Sequence, residues 1–245
     1  MGIQINQVLI LIPCCKTKGR GPGIVKCEKR VEDYLPSEAR EKLSDARQRV
    51  RRLPDCKIES EEMVAALDRY NGFLYTVPDF KTAVMNFVEK GGHLLIVSAL
   101  YGLLRPEEKI CDYELKMDKS YKLWKTCFEE ILKGYISHNQ IRSVVGVFSK
   151  SSKYWKLLES VDWKRDPRGE LEEVFLCYPV CSKRGCQWRV PRAQGVVVRE
   201  TMNRMVEEGS VSSIREVIPK KINEVEGVEE IKVEQFFPDE GKLTD

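Results

Sequence analysis

The feature that most constrains this chain is a series of short apolar runs set apart by stretches of helical periodicity. Residues 8–12 read Val-Leu-Ile-Leu-Ile and stop at Pro13, the pattern of a strand buried on both faces. Residues 93–98 and 143–148 have the same character, and 171–178 have the composition of another strand. Between them, Leu43, Ala46 and Val50 recur at helical spacing after Pro36-Ser37, and residues 80–89 form a helical segment that ends at Gly91-Gly92. Residues 120–135 carry Tyr121, Trp124, Phe128, Ile131 and Leu132 in helical register, and residues 153–158 and 193–208 read as further helices. Ser60 is expected to cap a helix that runs to the break at Gly72. A short helix at 214–222 and a late edge strand within 225–237 complete the reading. Strands alternating with helices predict an α/β fold, a single domain with a mixed, largely parallel central sheet flanked by helices.

At 245 residues, one elaborated core is expected rather than two equal ones. It is assigned to residues 1–209, with 210–245 as a C-terminal extension holding the short helix, the edge strand and an acidic tail. Hydrophobic residues at 42% supply a core and exclude wholesale disorder. No apolar run approaches the roughly 20 residues of a membrane span, and no signal-like segment opens the chain. A cytoplasmic protein is therefore expected, with its nine cysteines reduced. A net charge of +3 does not announce a nucleic-acid binder, so local clusters must decide. Residues 40–52 hold six basic side chains, including Arg47, against two acidic ones.

The loop after the first strand concentrates chemistry. Cys14 sits at the strand end beside Lys16 and Lys18, where cations favour a thiolate, so Cys14 is a candidate nucleophile and Lys18 its electrostatic or acid partner. The plain alternative is a buried small side chain at the turn, and Cys15 is the competing thiol. Cys177, Cys181 and Cys186 lack the paired Cys-x-x-Cys spacing of structural zinc sites. With two histidines and no phosphate or dinucleotide glycine motif, no metal and no cofactor are expected.

Residues 98–117, SALYGLLRPEEKICDYELKM, join a core strand to what reads as a long turn. They resemble the YaaA family of peroxide-stress proteins, whose pattern is a small residue, Leu-Tyr-Gly, a hydrophobic pair, Arg-Pro and a later Tyr-x-Leu-x-Met. LIPCCKTK, YNGFLY at 70–75, the aromatic helix at 121–124 and PRAQGVVVR at 191–199 extend the likeness in order. The resemblance implies a nucleic-acid-associated protein, with DNA binding and a link to oxidative stress or DNA damage. Phosphates would then be held by Lys16, Lys18, Arg20 and Arg105, and bases by Tyr101 or Tyr113. Arg192 and Arg199 add cationic character at a helix start. Arg105 has an equal alternative, an internal ion pair that locks its loop. The expected partner is DNA, tRNA or a nucleotide-like small molecule, with no membrane.

Pro13-Cys14, three residues and Lys18 also resemble the opening of a motif in the core domain of archaeosine synthase, which joins lysine to a deazaguanine nitrile in tRNA. That pattern continues with Pro-Tyr, whereas this chain has Gly19-Arg20. The likeness implies an alternative function, a cysteine-dependent nucleobase-modifying enzyme.

Overall fold

A computed structural model describes residues 2–19, 23, 29–164, 170–181 and 186–237. In chain order its strands are β1 (Ile3–Gln4), β2 (Val8–Pro13), β3 (Lys57–Ala65), β4 (His93–Ser98), β5 (Gly102–Leu104), β6 (Lys109–Glu114), β7 (Ser143–Val147), β8 (Glu173–Cys181), β9 (Ser210–Val211) and β10 (Val228–Phe237). The helices are α1 (Ser37–Arg51), α2 (Ala66–Arg69), α3 (Phe80–Glu89), α4 (Met117–Lys125), α5 (Phe128–His138), α6 (Lys153–Glu159) and α7 (Val190–Glu208).

The central sheet has the order β10-β8-β7-β2-β4-β5. Its four inner strands run parallel, and β5 and β10 close the two edges antiparallel. Every position of β4 and β7, and all of β2 but Pro13, is buried, which requires a helical layer on each face. One group of helices pairs α3 with α7, and the other packs α1, α4, α5 and α6 together. This is the α/β arrangement expected, with a mixed and largely parallel sheet.

Three local expectations are corrected. Residues 57–65 form a strand rather than a helix capped by Ser60, because β3 pairs antiparallel with β6. The helical spacing of Met63, Ala66, Leu67 and Tyr70 spans the junction between that strand and the single turn of α2; pairing with a distant strand outweighs local propensity. Residues 102–114 are not one long turn but the two strands β5 and β6. At Gly102 the backbone is left-handed (φ +70°), and a Cβ there would lie 2.6 Å from Trp124, so only glycine lets the chain double back under the indole. Finally, helix at 214–222 shrinks to the 3-10 turn Ile214–Glu216, while β10 is the late edge strand.

Reduced thiols were expected throughout, yet Cys181 and Cys186 are joined by a disulfide. The end of β8 and the turn that leads into α7 bring their Cα atoms to 5.8 Å, a span that a disulfide bridges. Among the described residues, no helix is long and apolar enough to cross a membrane.

Candidate functional site

β2 lies at the centre of the sheet with β4 on one side and β7 on the other. The chain adds β4 and β5 on one side of β2 and then β7 and β8 on the other, so the direction of winding reverses here and a crevice opens beyond the carboxyl ends of these strands. Cys14 occupies its floor. Its amide extends the ladder by donating to Val97 O at 2.9 Å, which holds the thiol beside the end of β4.

Around Cys14 the structure assembles hydroxyl groups from distant parts of the chain. The Tyr154 hydroxyl, from α6, lies 3.0 Å from Cys14 Sγ, and the Tyr113 hydroxyl, from β6, donates to the same sulfur at 3.8 Å. Tyr113 is in turn 2.8 Å from the Tyr70 hydroxyl and 2.9 Å from Ser98 Oγ. Burial pushes the phenols of Tyr70, Tyr113 and Tyr154 well above their ordinary range, so all three remain proton donors at neutral pH. Together they form a neutral polar patch in an otherwise apolar floor.

Lys18 is held over this patch. Its ammonium donates to the carbonyls of Cys15 at 2.8 Å and Lys16 at 3.2 Å and sits 4.3 Å above the Tyr113 ring. An ammonium has three protons, and two are engaged in shaping the loop. The loop itself is tied to α2 and the segment after it, by Gly19 N to Arg69 O and Asn71 N to Thr17 O. Cys15 has different partners. Its sulfur accepts from Gly72 N at 3.2 Å and donates to Thr17 O, and burial, followed by the neighbouring Cys14, pushes its thiol up to about 11. Cys15 is thereby disfavoured as the nucleophile.

The crevice has two compartments that meet at Cys14, Cys15, Ser152 and Tyr154. The larger, about 540 Å³, is rimmed by Lys16, Lys18, Lys116 and Lys153, with Glu114 and Asp118 on the same rim. Lys16 and Glu114 approach to 3.4 Å with both side chains largely exposed, a contact worth little in water. The smaller, about 260 Å³, is a mainly apolar slot between Pro13, Phe73, Leu74, Tyr75, Pro191 and Tyr154. α7 presses onto this slot because residue 195 is glycine; a Cβ there would lie 2.3 Å from Leu74 O.

Of the residues singled out from sequence, Cys14, Lys16, Lys18 and Tyr113 come together here. Tyr101 stands behind Tyr113, edge to face, with its hydroxyl 3.1 Å from both the amide and the sulfur of Cys111. Arg192 is exposed in the first turn of α7, next to Pro191 of the slot. Arg20 lies outside the described residues.

Arg105 and Arg199 are placed elsewhere. β5 runs antiparallel to β4, pairing Leu104 with Ile96, and so carries Arg105 to the opposite end of the sheet, near His93. There it is buried, bound to Glu107 at 2.7 Å, with its guanidinium 4.3 Å over Tyr34. The internal ion pair, not the anion site, is the arrangement the structure contains. Arg199 is likewise buried on α7, paired with Glu200 at 2.8 Å and with Glu224, and donates to Pro78 O.

Tyr70, Ser98, Tyr154 and Gln194 belong to the crevice but carried no role in the sequence reading. Three of them lie within the segments YNGFLY, SALYG and PRAQG on which the family resemblance was read; Tyr154 had no local signal, since a tyrosine in an amphipathic helix reads as core.

No curated protein matches this chain. The model of the family described as peroxide stress protein YaaA matches residues 24–174, a span that holds Tyr70, Ser98, Tyr113 and Tyr154 and leaves Cys14, Lys18 and Gln194 outside it. With well over half its length so matched, the chain belongs to the YaaA peroxide stress protein family.

Proposed function

We propose that the protein associates with nucleic acid as part of a response to peroxide stress, taking a nucleotide unit into the crevice around Cys14. The observation that carries this reading is the ring of four lysines, Lys16, Lys18, Lys116 and Lys153, around one open compartment at the carboxyl end of the parallel strands. Ammonium groups on a concave rim suit phosphate oxygens, and a switch-point crevice is where α/β sheets hold ligands. The family's link to peroxide stress supplies the setting.

The test is titration of labelled single-stranded DNA and a tRNA transcript across a range of salt concentrations. Each phosphate contact removed lowers the slope of log K against log salt by about 0.7 to 0.9. A variant with alanine at Lys16, Lys116 and Lys153 should bind both more weakly and with a flatter slope; an unchanged slope sinks the reading.

Cys14 favours a second reading, modification of a nucleobase through its sulfur. With hydroxyls at 3.0 and 3.8 Å, the thiol can add across an electrophilic double bond of a base. The sulfur–carbon bond forms, the π pair moves to the far atom, and the thiol proton reaches that atom through a tyrosine hydroxyl. Cys14→Ser should abolish a covalent adduct detected by mass spectrometry and leave nucleic-acid affinity within about twofold. Full turnover in that variant excludes the thiol.

A further inference from the structure

The apolar slot beside Cys14 contains one buried polar group that nothing in the fold explains. Gln194, in the first turns of α7, is 3% exposed and lines the slot, and its Nε2 has no hydrogen-bond partner among the described residues. A buried amide donor without a partner costs about 1–3 kcal/mol, and native structures contain few of them. The helix backbone that carries it is held in place, because the next residue is Gly195, whose close approach to Leu74 O clamps α7 against the 72–77 segment, and a turn of the side chain alone brings the amide to the slot.

The chemistry of the missing partner can be read from the surroundings. The slot is lined by no lysine or arginine, so it is not built for phosphate. A carboxamide both donates and accepts, which suits a neutral edge carrying an acceptor. The lining is mainly apolar, and Phe73, one of its residues, is 57% exposed and 6.3 Å between ring centroids from Trp188, which is 60% exposed and carries the Arg189 guanidinium 4.8 Å over its ring. Exposed aromatic side chains next to an amide are among the means by which proteins stack and read an unpaired base.

We infer that the slot is a nucleobase subsite, with Gln194 donating from Nε2 to the edge of the base while the lysine-rimmed compartment takes the phosphate of the same nucleotide. The inference rests on the reading above and narrows it: the base, not only the backbone, is recognised, and it must be unpaired to enter. Cys14 lies on the seam between the two compartments, where a base in the slot would meet its sulfur.

Equilibrium binding of the four nucleoside 5′-monophosphates and of a labelled single-stranded oligonucleotide, to the full chain and to Gln194→Leu, tests it. Wild type should prefer at least one base, and Gln194→Leu should lose about tenfold in affinity for that nucleotide. Its melting temperature should stay level or rise, since the orphan donor is gone; a merely structural glutamine would lower stability instead. Gln194→Glu, which keeps the shape and removes the donor, should lose the same preference. Oligonucleotide binding with a lysine-dependent salt slope, combined with equal affinity for all four monophosphates or unchanged affinity in both glutamine variants, overturns the subsite and leaves the phosphate reading standing. No binding of either probe to wild type overturns both.

Discussion

A cationic residue in a loop has two fates, solvent-facing contact or buried pairing, and the two are told apart by what its removal costs. Arg105 has the second. Its Glu107 partner is itself mostly buried, so Arg105→Ala strands a carboxylate in a poorly solvated place, and breaking such a pair costs about 3–5 kcal/mol. Urea denaturation should show a loss of about that size, with binding of the oligonucleotide unchanged in whatever fraction remains folded; a variant of native stability that binds weakly would return Arg105 to the ligand. Arg47 follows the same logic from the middle of a basic stretch. It turns inward to Glu108 at 3.0 Å and donates to the carbonyls of Tyr101 and Leu103, so it pins the turn between β4 and β5 instead of advertising charge. Composition counts both arginines as basic surface, and only their neighbours reveal otherwise.

At the scale of elements, the crevice depends on how closely α7 lies against the 72–77 segment. Gly195→Ala places a methyl group 2.3 Å from Leu74 O, a backbone atom that cannot swing aside. The helix must shift, at a cost of about 1–3 kcal/mol typical of overpacking. Such a shift should also widen the slot and move Gln194. The expected outcome is a lower melting temperature together with loss of preference among the nucleoside monophosphates, while the lysine-rim salt slope stays as in wild type. Unaltered stability would mean that α7 is not clamped there. PRAQG was legible as part of the family resemblance, but the reason for its glycine was not, because the atom that excludes a side chain belongs to a segment more than a hundred residues earlier.

For the whole molecule, stability should depend on pH through His93. Burial, and then the positive charge of Arg105, lowers its imidazole from 6.5 to about 4. The unfolded chain thus takes up a proton near pH 6.5 that the folded chain refuses until about pH 4, so stability is fully present above the first value and lost as pH falls toward the second, by up to about 3 kcal/mol. At the alkaline end the sign also opposes the fold: Cys15 is raised to about 11 from 9.0, so stability declines as pH rises between those values. Denaturation midpoints measured from pH 4 to 7 should rise, and His93→Gln should flatten that rise; a flat wild-type profile would contradict the burial of a neutral imidazole.

What the sequence determined by itself was the class of fold and the run of its inner strands, because each is encoded in consecutive residues: an apolar stretch buried on both faces, a helical period, a glycine or proline that ends it. It also placed Cys14 at a strand end with Lys18 in the loop beyond it, and carried the segments on which the family resemblance rests. It did not determine which of the marked residues meet. Strand β3 went unseen because its partner β6 lies some fifty residues away, and Arg105 was carried off because β5 folds back along β4. Tyr113 and Tyr154 reach Cys14 from separate elements, with Tyr70 and Ser98 bonded to Tyr113, and Gln194 lines the same crevice from a helix late in the chain. Only the tertiary structure decides such convergence, since hydrogen bonds between side chains depend on the packing of sheet and helices and leave no local trace in any one segment.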